Sequence, residues 1–176
     1  APGTQADGTH YPGTYLAGCY NRLTTEIAGR AVEIEDVVNL PNRLPLAIRI
    51  DGGAWLHPDR EALADYTQVL DLQNGTLERH YRIEDRQGRA TRIDERRLVH
   101  LRQRHLMALE VSLTPLNWNG HVEIRSALDG RVRNAGVARY EAFNNQHLRP
   151  LEGQSNTDWL FLKTETVQSE VRVALA

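Results

Sequence analysis

Three groups of carboxylates stand close together in the chain: Glu33, Glu35 and Asp36; Glu84 and Asp85; Asp94 and Glu95. Two carboxyl groups held about 5 to 10 Å apart can break a glycosidic bond, one giving a proton and the other attacking or activating water. Each group here sits on an alternating segment or beside a turn, where solvated strand faces are the simpler account. Glu33 and Glu35 fall on one face, so they could meet a partner domain or arginines on the next strand.

Aromatic side chains offer a second chemistry, because their faces stack on the C–H faces of sugars. Trp55, in the loop-like stretch "DGGAWLHP", and Trp118, in "PLNWNGH", are the candidates for such a platform. Trp159 alternates inside a strand-like run and is expected in the core. Tyr140 and Phe143, in "NAGVARYEAFNNQHLRP", combine with amides and cations in a mixture suited to an interface. The alternative is that both tuck into the domain's own core.

The seven histidines lack the spacing of a metal site, and with one cysteine, Cys19, a thiolate-rich zinc site is excluded. Surface or loop positions are expected for all seven. None of GxxxxGK[ST], HExxH, CxxC or GxSxG occurs, so no catalytic residue, metal ligand or cofactor-binding residue is assigned.

Formal net charge is −2, and the positive charge is almost all arginine, with Lys163 the only lysine. That balance does not steer the chain toward nucleic acid or an anionic membrane. No apolar run reaches the length of a bilayer span. A single cysteine fits a reducing compartment, and the cytoplasm is expected. The start, "APGTQADGTHYPGTY", reads as a loop within a longer parent chain or a trimmed terminus.

Period-two patterning dominates. In "ALEVSLT" Leu109, Val111 and Leu113 alternate with Glu110 and Ser112, and in "HVEIRSAL" Val122, Ile124, Ser126 and Leu128 share one face. Asn74-Gly75 sits between two such runs and supplies the positive φ of a tight hairpin. Gln87-Gly88 and Asn119-Gly120 repeat the device. The pattern predicts a five-strand meander at 66–72, 76–84, 90–101, 106–114 and 120–128. Further strands are predicted at 14–20, 31–38, 45–50, 158–166 and 170–175. Asp129-Gly130 is read as a turn, with Arg131 to Arg133 starting a return. Residues 59–65 and the segment from Asn134 could each hold a helical turn.

Several stretches resemble glycoside hydrolase family 65 in their order: "GTYLAGCYNRLT", "VVNLPNRLPLAIRIDGG", "LDLQNGTLERHYRIEDRQGRATRIDERRLVHL", "HLMALEVSLTPLNWNGHVEIRSALDGRVRNAG" and "LFLKTETVQSEVRVALA". The resemblance covers nearly the whole chain and implies an all-β fold, a large antiparallel β-sandwich of galactose-mutarotase-like type, incomplete at both ends. It implies a non-catalytic N-terminal domain spanning 1–176, whose partner is an (α/α)6 catalytic barrel of the same parent chain. Substrates of the family are α-linked glucosides of the trehalose, maltose or kojibiose kind. Most members are phosphorylases, using inorganic phosphate as co-substrate, and some are hydrolases. A homodimer contact is also expected. Two other functions stay open: a free-standing carbohydrate-binding module, and an assembly scaffold.

Overall fold

The computed structural model describes residues 13–57, 61, 63–135 and 142–176. Among them there is no helix, and every sheet is antiparallel, so the fold is an all-β sandwich. The chain divides into two compact units, one over Ala47–Ile124 and the other formed by Pro2–Leu46 with Arg125–Ala176.

The first unit has two layers. Strands β4 (Ala64–Asp71), β5 (Thr76–Glu84), β6 (Ala90–Val99) and β7 (Met107–Pro115) form a four-stranded meander in sequence order. Strand β3 (Leu46–Ile50) pairs with β8 (Val122–Ser126) in a small second sheet. The two sheets meet through Ile48, Ile50, Leu56, Tyr81, Ile83 and Ile93, all buried, with Val111, Leu113 and Trp118 against them. Burying side chains of this size contributes about 1.5–3 kcal/mol each. Alternation decides which residues face inward: in β7, Leu109, Val111 and Leu113 are half-buried while Glu110, Ser112 and Thr114 are exposed.

The second unit holds a ribbon, β1 (Tyr20–Ile27) with β2 (Arg30–Val37), and a three-stranded sheet of β9 (Leu148–Ser155), β10 (Leu160–Thr166) and β11 (Arg172–Leu175) in the order β11-β10-β9. Its core gathers Cys19, Val38, Leu40, Val132 and Leu148.

Strand β5 falls where the pattern predicts it, and β3, β4, β6, β7, β10 and β11 lie within a few residues. The fifth strand also forms within its predicted range, at Val122–Ser126, but not in the meander. Strand β8 leaves the meander for β3, drawn there by Asp51, whose N–H donates to the His121 carbonyl and whose carboxylate accepts from the His121 N–H at 2.7 Å. A Cβ on Gly120 would overlap that carboxylate, so this crossing requires glycine. Ile124 consequently stands exposed rather than half-buried.

Residues 14–19 are not a strand. They form a turn in which the Cys19 N–H donates to the Leu16 carbonyl, with Gly18 at φ 88°. The strand starts at Tyr20 and reverses through Ala28-Gly29, both at positive φ, in a two-residue hairpin. Strand β9 carries Pro150 on the sheet edge, where a missing N–H is tolerated.

Asn74-Gly75 does close a hairpin, but only Gly75 has positive φ, and the connection spans four residues between Asp71 and Thr76. Instead, the Asp71 carboxylate ties the loop by accepting from the N–H groups of Gln73 and Asn74. Ala64 and Asp65 belong to β4, not to a helical turn. Residues 59, 60 and 62 of that candidate turn lie outside the described residues, as do 136–141 in the other candidate turn.

Candidate functional site

Trp118 packs on the first unit's core, and its indole N–H donates to the Ala90 carbonyl at 3.0 Å and to Thr91 Oγ1 at 3.2 Å. Trp55 is half-buried just before Leu56, with the Arg49 guanidinium 4.7 Å over its ring, a cation–π contact. Arg49 is itself held by the Glu123 carboxylate. Phe143 is half-buried, and Tyr140 lies outside the described residues. Trp159 does not join the core. It stands 45% exposed before β10, in a turn closed by the Asn156 side chain, which accepts from the N–H groups of Asp158 and Trp159.

Each carboxylate group supplies at least one arginine ion pair, through Glu35, Asp85, Asp94 and Glu95. Asp94 and Glu95 point to opposite sides of β6, as period-two geometry demands. On the inner side, Glu95 is buried and accepts from Arg79 at 2.7 Å, from the Tyr81 hydroxyl at 2.5 Å and from Arg97 at 3.1 Å. Burial alone would raise its pKa, but Arg79, Tyr81 and Arg97 together hold it below the usual value. On the outer side, Asp94 bonds Arg92 and His80 Nδ1, and its pKa is lowered chiefly by Arg92 and then by His80. Asp85 resists its own burial through Arg89 and backbone N–H groups, and its pKa is lowered too. Glu35 pairs with Arg22, its cross-strand neighbour, at 3.0 Å, so arginine on the next strand meets this face.

A general acid needs a carboxyl group that keeps its proton near neutral pH. Asp85, Asp94, Glu95 and, in the second unit, Glu165 between Arg149 and Arg172 are all shifted the other way. Among the described residues no three His, Cys, Asp or Glu side chains converge as a metal site would require.

His147 departs from the surface position expected of the histidines. It is buried, not superficial, because it immediately precedes β9 beneath the β1 strand. Its Nδ1 meets Asn21 Nδ2 at 3.1 Å, and Nε2 stands 3.7 Å from Asp36. Desolvation lowers its pKa, with Asp36 opposing.

The second unit's loops are fixed by asparagines. Asn39 donates its N–H to Asn134 Oδ1 at 2.9 Å and its side-chain amide to the Arg133 carbonyl at 3.0 Å. Asn134 returns a bond to the Val37 carbonyl. Asn42 and Asp129 exchange both backbone bonds at 2.8 Å. Residues 131–135 therefore run as an irregular segment tied to residues 37–42, not as a returning strand. Gly130 is needed there for close approach: a Cβ would meet Leu162 at 3.0 Å and Thr164 at 3.3 Å.

Residues 2–176 match the N-terminal domain of glycosyl hydrolase family 65. The chain belongs to glycosyl hydrolase family 65. An uncharacterized glycosyl hydrolase of Mycobacterium tuberculosis is 43% identical over 176 residues, covering 100% of this chain and 13% of that protein. A kojibiose phosphorylase of Caldanaerobacter subterraneus is 30% identical over 165 residues, 93% of this chain and 20% of the relative. A trehalose 6-phosphate phosphorylase of Lactococcus lactis is 31% identical over 167 residues, 95% of this chain and again 20% of the relative. This family 65 chain thus spans between an eighth and a fifth of these relatives' lengths. Among its described residues no helix is long and apolar enough to cross a membrane.

Proposed function

We propose that this chain is the non-catalytic N-terminal sandwich of an enzyme that phosphorolyses or hydrolyses α-linked glucosides of the trehalose, maltose or kojibiose type. Its role is to pack on a helical catalytic barrel of the same parent, to shape one rim of the active site and to support a homodimer. Inorganic phosphate enters as co-substrate if the parent is a phosphorylase, and the cytoplasm is the proposed compartment. The observation that carries the non-catalytic reading is the state of the carboxylates. Asp85, Asp94, Glu95 and Glu165 are each bound to arginine and acidified, the opposite of what protonating a leaving group requires. Trp55, Trp118, Tyr140 and Phe143 remain the proposed sugar or interface contacts. The test is to incubate this chain with trehalose, maltose and kojibiose, with and without phosphate, beside the parent enzyme. Turnover is expected from the parent alone. Turnover by this chain that is lost on changing one of its carboxylates would overturn the reading.

A further inference from the structure

The inner face of the four-stranded sheet changes character along its length. At one end Tyr81, Ile83 and Ile93 are 1–2% exposed or less, covered by Ile48, Ile50 and Leu56. The row Arg79–Glu95–Val111 comes next, and then Leu70–Leu77–Arg97–Leu109, by cross-strand register. Beyond it Val99 pairs with Met107. Here the cover has ended: Leu70 is 61% exposed and Val99 58%. The β4–β5 and β6–β7 connections emerge at this same end, because alternate hairpins of a meander share an end. They add Leu72 at 85% exposure and Leu101 at 91%. Clustered exposed leucines of this kind mark contact surfaces, whereas isolated ones carry no such meaning.

The β6–β7 connection, "HLRQRHL", also carries Arg102 and Arg104, exposed and without an ion-pair partner among the described residues. We propose that this hairpin end docks on an apolar protein surface rimmed by carboxylates, contributed by the remainder of the parent enzyme. The proposal rests on the function proposed above. Charge selects the occupant. Two copies meeting symmetrically through this end would oppose Arg102 and Arg104 to themselves. A sugar would call for aromatic faces, and the exposed large hydrophobic side chains here are aliphatic. Anionic membranes are held by clusters of four to eight cations, more than this loop offers.

Hydrogen exchange on the parent enzyme and on this chain alone tests the idea. Amides 72–75 and 100–106 are expected to exchange at least tenfold more slowly in the parent, and Arg102→Glu with Arg104→Glu is expected to abolish that protection. Arg86→Glu, in the exposed loop at the opposite end of the sheet, is expected to leave it intact. Equal exchange in parent and isolated chain would overturn the proposal. In the parent enzyme, protection that rises with protein concentration would assign the surface to a second copy, and charge-dependent binding to phosphatidylserine vesicles would assign it to a membrane; either overturns the proposal. Activity of the parent on α-glucosides reads the functional proposal separately, since a parent inert on all of them leaves the exchange result standing.

Discussion

Glu95 and His147 show how much a single interior group decides. The Arg79–Glu95 pair is buried on both sides, and Tyr81 and Arg97 complete the carboxylate's hydrogen bonds. Removing one partner strands a charge away from water, so Glu95→Ala is expected to cost about 3–5 kcal/mol in urea denaturation. Adding Arg79→Met should recover most of that loss, and failure to recover would show that the pair does more than neutralise itself. His147 presents the mirror case, a base kept neutral by burial. Its folded pKa lies below the ordinary 6.5, so the unfolded chain takes up its proton first. Its stabilising contribution is complete above pH 6.5 and declines as pH falls from there toward the lowered folded value. Denaturation midpoints of the wild type and His147→Gln at pH 7.5 and 5 are expected to converge at the lower pH; parallel behaviour would contradict this account.

The strands were legible because half-buried sheet imposes period two, and β5, β6 and β7 repeat it cleanly. Turn chemistry is less legible than strand period. Ala28-Gly29 and Asp51-Gly52 both adopt positive φ at two successive positions, the requirement of a type I′ hairpin. Neither was anticipated, although Asp-Gly is a known signal and only Ala28 lacks one. Alanine in the left-handed region carries a steric penalty of about 1–2 kcal/mol. Ala28→Asn is therefore expected to raise stability by roughly 1 kcal/mol, read from the thermal midpoint, and a lowered midpoint would mean the turn is not type I′ in solution. Partner choice was hidden for another reason. Nothing local in "HVEIR" says that β8 abandons β7 for β3; the Asp51 carboxylate arranges it from far away in sequence, where Gly120 leaves it room. The same limit applied to the candidate site. Alternation places Arg79 and Glu95 on the inner face beside Tyr81 and Ile93, yet only register puts them opposite one another.

For the molecule as a whole, charge and exposed leucine act together. Sequence pI is about 6.4, so electrostatic self-repulsion is weakest there. The leucine-rich hairpin end cannot pair symmetrically with itself, and contacts with acidic faces of other copies do not close into a ring by necessity. Light scattering of this chain is accordingly expected to peak near pH 6.4 and to fall at pH 8.5 and in Leu72→Ser/Leu101→Ser; a pH-independent monomer in sedimentation would refute it. The β3–β8 pairing has a kinetic corollary. Both strands bracket the meander, so the chain must bring together segments separated by four intervening strands, while β4 to β7 join through short connections. Loop closure makes the bracket the entropically dearer step until the meander has shortened the effective span. Contact order thus favours a nucleus in β5, β6 and β7, with β3 and β8 zipping over it afterwards. A lesion such as Arg49→Ala in the bracket would then hasten unfolding and leave the refolding rate nearly unchanged.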